Sequence, residues 1–144
     1  MNQLTINNGV KAYTVNGIEN ALYFNPLDAD FAKRILDTIP KCQKIMENKR
    51  VSKDDEAEIL FQKLREADKE IRAAIDEAFS QPACEKIFAE TRVTALADGL
   101  PLWMNLILAI VDEIDSNISS VDKQSSKKLQ YYTSKYMKKY GKKA

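Results

Sequence analysis

The sequence predicts a mainly helical α+β domain of about four to five helices, with a small N-terminal antiparallel β-meander and a basic C-terminal tail. Three observations predict it. Apolar residues recur at helical spacing through the middle of the chain. Strand-like segments separated by Asn-Gly turn signals are confined to the first 25 residues. Only four glycines and four prolines interrupt 144 residues, which argues for few loops. One domain is expected over residues 1–120 (meander over 3–24, helices over 28–118), followed by the tail at 121–144.

The elements follow in order. Asn7-Asn8-Gly9 and Asn16-Gly17 are turn signals because Asn and Gly tolerate the positive φ of tight hairpin turns. Val10 to Val15 and Ile18 to Phe24 are the strands around them, with Ile18, Leu22 and Phe24 at even spacing. So small a sheet needs a helix over one face. Pro26 closes the strand, and Asp28 is placed to cap a helix through Phe31, Ile35 and Leu36. Pro40 is expected to end or kink that helix, with Cys42 to Asn48 resuming it. Ser52 to Glu56 opens the next, with acids where the helix dipole favours them.

The clearest periodicity follows. Leu60, Leu64, Ala67, Ile71, Ala74 and Ala78 step by three and four, and Phe61, Ile75 and Phe79 widen the stripe, so residues 54–79 read as one amphipathic helix. Gln81-Pro82 breaks it, and Ala83 to Ala89 reads as a short helix. Gly99-Leu100-Pro101 is expected to start the last core helix, which runs to about Ile118.

The chemistry-bearing residues exclude more than they assign. With no histidine, Ser-His-Asp and Cys-His arrangements and histidine metal sites are absent from the sequence. The glycines are isolated, so no phosphate loop is present. Asp112 and Asp115 lie one turn apart, but a cation site needs oxygens from a second element; a solvated helix end explains them better. Cys42 and Cys84 lack a CxxC spacing and read as small reduced core residues of a cytosolic protein. No catalytic residue, metal or cofactor is expected, and an enzyme is the least favoured class. No signal peptide is visible at the start of the sequence.

Charge is divided. Residues 1–120 hold 14 Lys+Arg against 20 Asp+Glu, a net of 14 − 20 = −6, whereas residues 121–144 hold 8 Lys and one Asp, a net of +7. In the tail Tyr132, Tyr136 and Tyr140 are four apart, with Lys135 and Lys139 among them. Aromatics among cations can stack bases and neutralise phosphates, and a basic amphipathic helix can lie on a membrane surface. A protein partner, or the chain's own acidic body, is the favoured reading.

"ADGLPLWMNLILAIVDEID" (residues 97–115) is nearly all apolar from Leu100 to Val111, yet it falls short of the ~20 apolar residues a membrane span needs. Trp103, Leu106, Ile107, Ile110, Val111 and Ile114 are expected to face the core. Met104 and Leu108 lie towards the other side, to be covered by this chain or by a partner.

Segment order and texture across nearly the whole chain resemble a known family. A strand-rich start ("LTINNGVKAYTVNG…LYFNP") leads to an acid-opened helix ("LDADFAKRI") and a long charged helix ending "IDEAFSQPACEKIF". The apolar helix and a Lys/Tyr tail ("LQYYTSKYMKKY") complete the pattern. The chain thereby resembles the tail-assembly chaperone-like proteins of long-tailed phages and prophages of Gram-positive bacteria. The resemblance implies a non-enzymatic protein of the host cytoplasm, absent from the finished virion. Such proteins coat the aggregation-prone tape-measure protein and help recruit tail-tube subunits. Independently of the resemblance, the acidic body and basic tail are expected to favour head-to-tail self-association along an extended client. The positions matching the family's helical pattern are Leu60, Leu64 and Ile71 on the long helix and Trp103, Ile107 and Ile110 on the last. With Met104, Leu108 and the tail's Tyr132, Lys135, Tyr136, Lys139 and Tyr140, they form the candidate partner-binding set. The rival readings are a structural tail or head–tail component and a single-stranded nucleic-acid-binding regulator acting through the tail. Nucleic acid is a less favoured partner, and no membrane partner is expected.

Overall fold

In the computed structural model, which describes residues 1–120, four helices follow one hairpin and enclose another. The order is β1 (Lys11–Val15), β2 (Ile18–Phe24), α1 (Ala29–Asn48), α2 (Ala57–Phe79), α3 (Ala83–Phe88), β3 (Leu96–Ala97), β4 (Leu100–Pro101) and α4, which covers 102–120. The expected mainly helical α+β class is what the chain adopts. Tyr132, Lys135, Tyr136, Lys139 and Tyr140 lie outside the described residues.

The N-terminal sheet is a two-stranded hairpin, not the meander expected from residue 3. Asn16 and Gly17 both take positive φ (49° and 82°), the turn that matches the twist of paired strands. β1 and β2 pair antiparallel, with a register irregularity between Tyr13 and Val15. Residues 1–10 belong to no strand. The Asn-Asn-Gly signal is spent differently: the side chains of Asn7 and Asn8 accept from the Gly9 and Val10 amides, and Asn25 Nδ2 donates to the Asn8 carbonyl. Gly9 has φ 76° and a Cβ there would lie 2.6 Å from Asn25 Nδ2, so another residue would be strained and would displace the Asn25 side chain.

The hairpin lays its inner face on the helices through stacked rings. Tyr13, Phe24, Phe31 and Phe79 follow one another with centroid separations of 4.3, 4.7 and 6.1 Å, joining β1, β2, α1 and α2. The outer edge of β2 is closed by one side chain: Gln81 accepts from the Tyr23 amide and donates to the Tyr23 carbonyl, as a neighbouring strand would.

α1 begins as expected, with the Asp28 carboxylate accepting from the Asp30 and Phe31 amides. It does not end at Pro40 but continues to Asn48. A mid-helix proline costs ~3 kcal/mol. Core contacts on both sides of it, from Phe31 and Ile35 to Cys42, Ile45 and Met46, oppose that cost. α2 starts at Ala57, three residues later than expected, because the Asp55 carboxylate turns back to the Ser52 amide and to Lys63 Nζ. It ends on Ser80 in the left-handed region (φ 56°).

Behind α2 the chain is held by polar side chains one helical turn apart. Asp68 accepts from the Val93 amide at 2.8 Å and from Arg72 Nε. Arg72 Nη2 donates to the Ala89 and Thr91 carbonyls at 2.8 and 2.7 Å, and Asp76 accepts from the Cys84 amide at 2.9 Å. Ala89 is strained, with φ 48° and ψ −119°, and Arg72 grips its carbonyl.

Gly99-Leu100-Pro101 does not begin the last helix. Asp98 and Gly99 (φ 55° and 79°) turn a second tight hairpin in which Leu96 pairs with Pro101 and Ala97 with Leu100. Asp-Gly is a hairpin signal, and it prevails over the reading of Pro101 as a first helical residue. Past it, the Leu102 and Trp103 amides donate to the Ala95 and Val93 carbonyls, so two N–H groups that a helix start would leave free are satisfied. Asn105, the one polar residue of the apolar run, donates to the Ala97 carbonyl and ties the hairpin to α4. Trp103 and Ile107 then close the core against Ile35, Ile71 and Ile75. Among the described residues no helix is long and apolar enough to cross a membrane.

Asp68→Ala and Arg72→Ala are each expected to cost about 2 kcal/mol. The double variant should fall short of the sum by about 1 kcal/mol, since both side chains hold one loop. Urea unfolding followed by Trp103 fluorescence measures all three; strict additivity would show that the loop is not held as a unit.

Candidate interaction surface

The apolar stripe of α2 is continuous in sequence but only partly covered in space. From Ala67 onward it enters the core, where Ile71 and Ile75 are fully enclosed. Leu60 and Leu64 are only half-buried and belong to no part of the core cluster. Ile59 and Phe61 beside them are 44% and 52% exposed. The first three turns of α2 therefore present apolar side chains beyond what the fold itself consumes. Polar groups surround them: Glu58, Gln62, Arg65, Glu66 and Lys69 line a shallow depression with Phe61.

Ion pairs hold this end of the α1–α2 pair in place. Lys63 Nζ lies 2.8 Å from Asp55, and Lys49 Nζ 2.8 Å from Glu66. The hydrogen bond from Lys63 holds the Asp55 carboxyl below its ordinary value, and that from Lys49 does the same for Glu66. Solvent-accessible pairs of this kind contribute little stability, and their part here is to orient the start of α2.

Further exposed apolar side chains stand on the β3–β4 hairpin and on α4. Leu96 and Leu108 are exposed, at 70% and 41%, and Leu100 sits between them in sequence at the hairpin's second strand. Met104 packs partly against the core, so the two residues expected on the far side of α4 divide: the fold uses Met104 and leaves Leu108 to solvent.

The remaining candidates from the sequence are interior. Ile71, Trp103, Ile107 and Ile110 are each at most 3% exposed, and Trp103 Nε1 donates to the Met46 sulfur at 3.2 Å. They shape the surface only by packing beneath it. The sequence reading passed over Ile59, Phe61, Leu96 and Leu100 as partner contacts. Ile59 could have been found by its place off the core stripe of α2. The two leucines had no such signal, because their exposure depends on the hairpin.

Between β1 and α4 lies an open, mostly apolar cleft of about 250 Å³, with Tyr13 and Val15 on one wall and Leu106, Ala109, Ile110 and Glu113 on the other. Lys11 Nζ donates to Asn117 Oδ1 from β1 to α4. The Tyr13 hydroxyl is buried with no hydrogen bond of ordinary geometry. Its burial, and then the nearby Glu113 carboxylate, raise its pKa. Among the described residues, no three His, Cys, Asp or Glu side chains are grouped to hold a metal ion.

Trp103→Ala is expected to cost about 3–5 kcal/mol, whereas Phe61→Ala and Leu108→Ala should stay within about 0.5 kcal/mol of the parent in thermal or urea unfolding. Cys42 and Cys84 are both buried; desolvation pushes the Cys42 thiol up to about 11 and raises that of Cys84 further. A raised folded-state pKa adds stability below the ordinary thiol value of 9.0 and loses it as pH climbs towards the folded value. The urea midpoint should thus fall from pH 9 to pH 11, and iodoacetamide should label both thiols only as the chain unfolds. In comparisons with known protein families, curated proteins and solved structures, the chain matches none.

Proposed function

We propose that this protein is a non-enzymatic tail-assembly chaperone of a long-tailed phage or prophage, acting in the host cytoplasm on the tape-measure protein and helping tail-tube subunits to gather around it. One observation carries the reading: the apolar stripe of α2 runs on past the core, with Ile59 and Phe61 exposed and Leu60 and Leu64 half-buried. A long amphipathic client helix offers an apolar face of matching kind, and helix-on-helix burial recognises such clients without a deep pocket. Leu96 and Leu100 on the β3–β4 hairpin and Leu108 on α4 are exposed as well and offer further apolar contacts to an extended client. Charged side chains around Phe61 keep this surface soluble while the client is absent. The family resemblance of the segment order supplies the client's identity.

Because Trp103 and Ile107 lie in the core, charged substitutions there would unfold the domain and say nothing about the client. Phe61→Asp, Leu64→Asp and Leu108→Asp are the informative variants. Co-expression with the tape-measure protein encoded nearby is expected to raise that protein's soluble yield several-fold. Phe61→Asp with Leu64→Asp should abolish the gain while thermal unfolding shifts by no more than about 1 kcal/mol. A tape-measure yield indifferent to the chain would refute the proposal, as would abundant presence of the chain in purified virions.

A further inference from the structure

The hairpin has two edges, and the described residues close only one of them. Gln81 occupies the outer edge of β2 at Tyr23. Because Tyr23 turns its amide and carbonyl to Gln81, its partner Ala12 turns its own away from β2, to the outer side of β1. Among the described residues no group bonds to Ala12 there. The cleft against α4 lies directly beside this strand, and the buried, unpartnered Tyr13 hydroxyl belongs to its wall.

The leading segment of the same chain has the complementary character. Gln3-Leu4-Thr5-Ile6 carries no charge and alternates polar with aliphatic residues, so an extended strand places Leu4 and Ile6 on one face. Both are bare, at 94% and 81% exposure, and the segment pairs with nothing, β1 of its own chain included. Asn25 holds Asn8 and Gly9 at the hairpin's open end, where the arm departs.

We propose that the arm of one copy adds as a strand to the β1 edge of a second copy, with Leu4 and Ile6 entering the cleft between β1 and α4. Backbone hydrogen bonds along Ala12 hold the strand, and the apolar cleft selects its two aliphatic side chains, the division of labour of strand addition elsewhere. The arm carries no charge, so its pairing does not depend on attraction between the net −6 of residues 1–120 and the +7 of residues 121–144. A single short arm covers far less than the ~800 Å² per partner of a stable interface, so the contact is weak and depends on concentration. Each copy offers one arm and one edge, and exchange therefore closes as a two-fold pair or runs on as a row.

Light scattering on the full chain tests this without any client, so its outcome is separable from that of the proposed function. Between about 10 µM and about 1 mM the parent's apparent mass should rise at least about twofold. A chain lacking residues 2–6 should stay monomeric, and so should Ala109→Arg, which fills the cleft mouth from an exposed helical position. Ile6→Asp, in an arm outside the folded body, repeats the first result with no risk to folding. Mixed together, the armless chain (open edge) and Ala109→Arg (intact arm) should form a complex of two copies and nothing larger. A parent that stays monomeric to 1 mM means that the arm does not join a second copy. Assembly that persists in the armless chain, or a mixture that forms no pair, equally overturns the proposal.

Discussion

The segment between α2 and α4 is positioned by three side chains of α2. Asp68, Arg72 and Asp76 stand one turn apart along one face and take, between them, backbone groups of Cys84, Ala89, Thr91 and Val93. Side chains four residues apart on a helix share a face, so one ladder can hold an irregular segment along its length. The loop cannot supply its own hydrogen bonds in regular structure, and each of these contacts satisfies a group that would otherwise be costly to bury. With Val93 fixed, its carbonyl receives the Trp103 amide, and that bond places the first turn of α4 on the core. Without the ladder, Trp103 and Ile107 would have no defined approach to Ile71 and Ile75.

That arrangement also decides which apolar residues are spare. The ladder, the aromatic stack and α4 all meet α2 in its second half. Among the described residues its first half is oriented by the far end of α1 and the loop between the two helices, through Lys49–Glu66 and Lys63–Asp55, which do not cover it. The core and the proposed client surface are therefore one sequence stripe divided by where the neighbouring elements stop. The proposed arm exchange works by the same economy: a strand edge and a cleft left open where the hairpin is thin, and an apolar segment left uncovered at its end.

Local signals were legible where one mechanism acted alone. Asp28 capped α1, Asn16-Gly17 turned the first hairpin, and the three-and-four stepping from Leu60 to Phe79 became one helix. They failed where two mechanisms competed. Pro40 carried an end-or-kink signal; the helix does not end there, because core contacts on both sides of it prevailed. Gly99-Leu100-Pro101 carried both a helix-start and a hairpin signal, and the Asp98-Gly99 turn took it. Asn7-Asn8-Gly9 carried a turn signal and used it to anchor the chain to Asn25 instead of to pair a third strand. Of the candidate contacts within the described residues, Leu60, Leu64, Met104 and Leu108 emerged at least partly accessible, while Ile71, Trp103, Ile107 and Ile110 emerged as core.

Sequence by itself determined the class and the residues able to pack, because periodicity and turn chemistry are properties of neighbours along the chain. Only the tertiary structure decided which part of each apolar stripe is covered. Coverage depends on how far α1, α4 and the hairpin extend over α2, and on Asp68, Arg72 and Asp76 reaching backbone groups that lie eight to 25 residues away. Those distances in sequence leave no local trace, so the line between core and contact surface is drawn by packing alone.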